Sequence, residues 1–135
     1  MKLEVIKSLA EVGADEWNRL NGAGDPFVSH EFLYGLELHD CLKPHGWYGT
    51  HLILRDNDNV LFAAMPLYVR TNSYGEFVFD WAWADAFERA GGRYYPKLVS
   101  AIPFTPASGN RILVANPGDL TVALPALTEA AIELV

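Results

Sequence analysis

The chain has 135 residues, half of them apolar, with a single cysteine and a formal net charge of −7 at pH 7. That length supports one hydrophobic core over residues 1–135 and excludes a second full domain. No apolar run reaches the roughly 18 to 20 residues that cross a bilayer, the start lacks the form of a signal peptide, and Cys41 alone makes no internal disulfide, so the reading is a cytoplasmic protein without a membrane span.

The elements follow in chain order. Lys2 to Leu9 alternates as a short strand, and Asp15 to Leu20 reads as a short helix around Trp17. Asn21 to Pro26 then breaks the chain. Ser29 caps a second helix whose apolar face carries Phe32, Leu33, Leu36 and Leu38, with an expected end near Lys43-Pro44. A hairpin follows: His51 to Arg55, the polar turn Asp56-Asn57-Asp58-Asn59, and Val60 to Val69, in which Pro66 removes a donor and predicts a bulge or an unpaired edge. Trp83 to Ala90 predicts a short helix stopped by Gly91-Gly92, and Leu98 to Ile102 an extended piece. Arg111 to Ala115 reads as a buried strand and Asn116 to Asp119 as a turn. Ala126 to Val135 reads as a helix with Pro125 in its first turn. No stop signal follows that helix, so the chain reads as truncated.

The densest chemistry lies in Ser73 to Ala84, continuing through Arg93 to Lys97 and Pro103 to Pro106. Glu76 and Asp80 stand four apart among large apolar residues, where burial raises a carboxyl pKa and suits it to general base work. The plainer alternative has Asp80 capping the next helix and Glu76 in a solvated turn. Arg93, Lys97 and Arg111 supply cations for an anionic group, or else pair with the acidic surplus, and Tyr95 supplies a hydroxyl. Trp81 and Trp83 share a face only if extended, and packing into the core is the simpler role for both. The four histidines lack metal-ligand spacing, so no metal is expected. His39, Asp40 and Cys41 are sequence neighbours and form no local dyad.

The order strand, helix, helix, hairpin, extra segment, strand, helix is that of the first half of a GNAT-like α/β (α+β) fold, with a mixed, mostly antiparallel sheet flanked by helices. Pro26-Phe27-Val28-Ser29, Met65-Pro66-Leu67-Tyr68, Tyr74 to Ala84, Tyr94 to Leu98, and Pro103 to Pro106 with Gly109 and Arg111 resemble the bacterial FemAB-like family. That resemblance implies an N-acyltransferase linked to peptidoglycan, of which this chain is the amino-terminal part, inactive alone. The resemblance implies the reaction class and little about roles; what acyl transfer to an amine requires makes Asp80, Glu76 and Tyr95 the catalytic candidates, and Arg93, Lys97, Arg111, Trp81 and Thr105 the candidate donor or substrate contacts. The acceptor is a small-molecule or peptide amine. The implied donor is acetyl-CoA or another acyl-CoA, although Asn116-Pro117-Gly118-Asp119 departs from the GNAT phosphate loop, or aminoacyl-tRNA, which the acidic carboxy-terminal part disfavours. DNA is excluded on charge, and an open sheet edge predicts self-association. The alternative is a non-catalytic lobe that binds a cell-wall precursor or peptide.

Overall fold

The computed structural model describes residues 1–74, 76 and 80–135. Among these, strands β1 (Lys2–Ile6), β3 (His51–Arg55), β4 (Leu61–Met65) and β7 (Leu113–Val114) form an antiparallel sheet in the order β1-β3-β4-β7. A second antiparallel sheet contains β2 (Trp47–Gly49), β5 (Tyr68–Arg70) and β6 (Lys97–Val99) in the order β2-β5-β6. The helices are α1 (Ala14–Asn18), α2 (His30–Leu38), α3 (Trp81–Arg89) and α4 (Leu120–Glu133). The class is the mixed, antiparallel α+β one that the element order predicts.

One long hairpin generates both sheets. Leu52 pairs with Met65 in the first sheet and Gly49 with Tyr68 in the second, so one register runs through both. Pro66 interrupts the ladder between them, because it has no N–H to give. Val60 to Val69 is therefore two strands rather than the single one expected. Opposite the gap, His51 Nδ1 accepts the Leu67 N–H at 3.1 Å and replaces the missing ladder bond.

The first sheet is covered on both faces, which explains why Leu52, Ile53 and Leu54 are all apolar and buried. Ile53 faces a cluster with Trp17, Val28 and Leu33 beneath α1 and α2. Leu52 and Leu54 face Ala123, Leu127 and Ala130 of α4. Ser29 caps α2 by accepting the Phe32 N–H at 3.2 Å, as its sequence predicts. That helix stops at Leu38 rather than near Lys43, because Asp40 turns left-handed (φ 53°) and the Cys41 N–H returns to the Leu36 carbonyl at 3.0 Å.

Helix α4 begins at Leu120, six residues before its expected start, and Pro125 lies inside it. A proline there removes one helical bond. Burial of Ala123 on one side of it and Leu127 on the other, against the sheet, outweighs that loss. No described helix is long and apolar enough to cross a membrane.

Candidate functional site

The register of the second sheet puts Trp47 opposite Arg70, and Arg70 opposite Lys97. Directly opposed residues share a sheet face, so two cations stand side by side, an arrangement that repels unless an anion divides it. Glu76 divides it. Its Oε2 accepts from Arg70 Nε at 2.9 Å and its Oε1 from Lys97 Nζ at 2.8 Å. The Arg70 and Glu76 side chains are 0% and 1% exposed, a burial that charged groups reach only when paired.

Arg70 spends its remaining donors on the His45 carbonyl at 2.8 Å, Asn72 Oδ1 at 3.0 Å and the Tyr74 carbonyl. Its guanidinium carbon lies 3.9 Å from the centre of the Trp47 ring. Lys97 is saturated as well: its ammonium donates to Ser73 Oγ at 2.9 Å, Glu76 Oε1 at 2.8 Å and Asp80 Oδ2 at 2.7 Å. Tyr94 donates its hydroxyl to the same Asp80 oxygen, and the Tyr95 and Ser73 hydroxyls are hydrogen-bonded to each other.

Two cations and two carboxylates thus cancel within one connected network. One valence stays open among the described residues. Asp80 Oδ1 is buried and has no hydrogen-bond partner, and a buried oxygen of this kind marks where an incoming donor gains most.

The protonation states follow from these contacts. Burial opposes ionisation of Asp80, yet hydrogen bonds from Lys97, Ser73 and Tyr94, with the Lys97 charge, hold its carboxyl well below the usual carboxylate range. This reverses the expectation that burial lifts the carboxyl there. Burial likewise disfavours the Lys97 charge, but Asp80 and Glu76 push its pKa up, so it stays an ammonium and not a nucleophile. Asp80 does not cap α3 through its side chain, and the Glu76 side chain is not solvated, so the plainer alternative for both carboxylates is overturned.

A model of the FemAB-like family, described as peptidoglycan biosynthesis/recognition, matches residues 8–135. The chain belongs to the FemAB-like family. No curated protein and no solved structure matches it. The matched span includes every member of the network, so in this FemAB-like chain the charged cluster is part of the family region.

The sequence-predicted residues divide into two groups. Glu76, Asp80, Tyr95 and Lys97 come together. Arg93 is exposed and makes no hydrogen bond or ion pair among the described residues, so it does not converge with them. Arg111 is also elsewhere: its Nη2 donates to the Ala107 carbonyl at 2.7 Å, in a loop whose Gly109 lies against Asp25. Thr105 Oγ1 donates to the Pro103 carbonyl at 3.1 Å. Its neighbour Phe104 reaches the site indirectly, with its ring 5.7 Å from that of Trp47.

Trp81 and Trp83 lie in α3, helical rather than extended, and are 47% and 71% exposed. They do not fill the core, and residues two apart on a helix face nearly opposite ways. Trp81 instead meets Tyr74, ring centres 5.8 Å apart. Gly75, Phe77, Val78 and Phe79 of the aromatic segment lie outside the described residues.

Sequence reasoning missed Arg70 and gave no role to Ser73 and Tyr94, although both lie in the segments it singles out. Arg70 was within reach, because it keeps the inward phase of Tyr68 one residue beyond the expected strand end. The Asn116–Asp119 loop does not fit the pyrophosphate of an acyl-CoA. Pro117 opens a 3-10 turn without an N–H to offer, and Asp119 puts a carboxylate where α4 begins.

Proposed function

We propose that this FemAB-like chain is the acceptor-binding part of an N-acyltransferase acting on an amine of a peptidoglycan precursor. The observation that carries this reading is the buried, unpartnered Asp80 Oδ1 at the end of a network whose other charges are satisfied. Acyl transfer to nitrogen requires the amine to be held with its lone pair toward the acyl carbon. An anionic oxygen that accepts one N–H and is itself immobilised by Lys97 and Tyr94 does that orienting. Ser73, hydrogen-bonded to Lys97, and Tyr95, hydrogen-bonded in turn to Ser73, complete the polar wall.

In the transfer, the C–N bond forms, the bond to the leaving thiol or ester oxygen breaks, and the proton lost by nitrogen goes to that leaving group. Asp80 does not retain the proton, because Lys97 and Tyr94 favour its ionised form. Glu76 acts as the fixed counter-charge between Arg70 and Lys97.

A second reading is a non-catalytic lobe that recognises the same precursor. The Asn116–Asp119 loop favours it, since this part of the chain offers no cradle for donor phosphates. Calorimetry with peptidoglycan-derived peptides tests both. Fragments with a free amine should bind about tenfold more tightly than their N-acetylated forms, and Asp80→Asn should remove that preference. Equal affinity for the two forms overturns both assignments. Binding without acyl transfer from any supplied thioester or aminoacyl ester selects the second.

A further inference from the structure

A cavity of about 190 Å³ lies between the end of β1, the end of α2 and the start of β2, lined by Lys7, Ser8, Glu37, Lys43, Trp47 and Gly49 among others. Trp47 and Gly49 alternate along β2 and share a face. Only glycine fits at position 49, because a Cβ there would come 2.6 Å from the Lys7 carbonyl oxygen and 3.1 Å from His51 Nε2, so the end of β1 packs closely against β2 beside the cavity.

Trp47 Nε1 is buried without a partner among the described residues, as are His51 Nε2 and the Tyr68 hydroxyl in the rings packed around it. Their rings touch edge to face, Trp47 to Tyr68 at 5.3 Å and His51 to Tyr68 at 5.0 Å. His51 Nδ1 accepts the Leu67 N–H, so the ring hydrogen resides on Nε2. One unsatisfied indole N–H therefore belongs to a residue that lines the cavity, and such groups ordinarily find acceptors.

The charged lining has a matching pattern. Lys7 and Lys43 bring two cations, and Glu37 and Asp40 bring two anions, yet no ion pair joins any of the four among the described residues. Glu37 is held in place by the Leu9 N–H and the Ser8 hydroxyl, each 3.1 Å from Oε2. The lining thus carries both signs of charge around a space with room for about six waters.

We propose that this cavity binds a small zwitterion, one ammonium and one carboxylate or sulfonate a few bonds apart, of the size of a free amino acid. Glu37 and Asp40 receive the ammonium, Lys7 and Lys43 the anionic end, and Trp47 forms the floor. Trp47 also stacks on Arg70, 3.9 Å from ring centre to guanidinium carbon, so the cavity and the Lys97 network share a residue. This site is separate from Asp80, and its test does not depend on the acyl-transfer reading.

Calorimetry and ligand-observed NMR on the whole chain should use glycine, alanine, β-alanine and taurine, with alaninamide and N-acetylalanine as singly charged controls. At least one zwitterion should saturate below about 10 mM, with the controls about tenfold weaker. Lys43→Met, at an exposed position whose change leaves the fold intact, should weaken binding about fivefold or more, and Glu37→Gln should do the same while Asp80→Asn does not. If Glu37→Gln fails to fold, Lys43→Met alone decides. No saturation by any zwitterion, equal binding of the controls, or unchanged affinity in Lys43→Met overturns the proposal.

Discussion

Lys97 Nζ lies 2.7 Å from Asp80 Oδ2, tying β6 to the residue that precedes α3 across seventeen positions of sequence. Each side chain is only 15% exposed. Lys97→Met leaves Asp80 uncompensated and strips Glu76 of one of its two cations. Breaking a pair buried to this degree should cost about 3 kcal/mol, read as a lower urea midpoint at constant slope. A loss below about 0.5 kcal/mol, the range of ordinary surface substitutions, refutes the structural importance of the pair.

Acid should act on the same pair. The Asp80 pKa is lower in the folded chain than its ordinary value of 3.8, so its ionised form stabilises the fold fully above that value. The contribution is lost progressively as pH falls below 3.8. Asp80→Asn should therefore be less stable than the parent near neutrality and converge on it in acid. Parallel stability curves for the two proteins would show that the carboxylate is not held as described.

His51 gives a separate pH dependence. Burial pushes its imidazole from 6.5 down to about 4, and the ring is wholly enclosed. The unfolded chain then takes up a proton that the folded chain refuses. Stability should fall by about 3 kcal/mol as pH drops from 6.5 to about 4. In NMR, the His51 ring should stay neutral until near the lower limit, and titration with a midpoint near 6.5 would contradict its burial.

Arg70→Lys keeps the charge and should nevertheless destabilise the chain by about 2 kcal/mol or more, because one ammonium cannot serve Glu76, Asn72, His45 and Tyr74 together from a rigid fork. Thermal melts of this variant beside Arg93→Lys, which changes an exposed side chain, separate the effect of the network from that of arginine content. Equal melting temperatures would remove Arg70 from the site.

Trp83→Ser should change stability by no more than about 0.5 kcal/mol, in spite of its residue type, because the ring is 71% exposed on α3. Trp17→Ser, at a fully enclosed ring whose Nε1 donates to the Val28 carbonyl at 2.9 Å, should abolish folding. Similar losses for the two would place Trp83 in the core after all.

Local signals in the sequence settled the elements that depend on near neighbours. Ser29 before an apolar helical face, four polar residues between two apolar runs, and Gly91 after α3 specify a cap, a turn and a stop within a few residues of each. The same signals misplaced the start of α4, because Pro125 argues locally for a first turn while the burial of Ala123 comes from a sheet far away in sequence.

The chain's amino acids alone determined its class, its hairpin and the segment that holds Glu76, Asp80, Tyr95 and Lys97, since these follow from spacing and residue type. Only the tertiary structure decided which cations join them. Arg70 and Lys97 become neighbours through strand pairing between positions 27 apart, set by the register of the second sheet. Arg93, as basic and closer in sequence to Lys97, and Arg111, also basic, are carried elsewhere by the backbone. Charge is a property of a residue, whereas the pairing that makes a buried charge tolerable is a property of the fold.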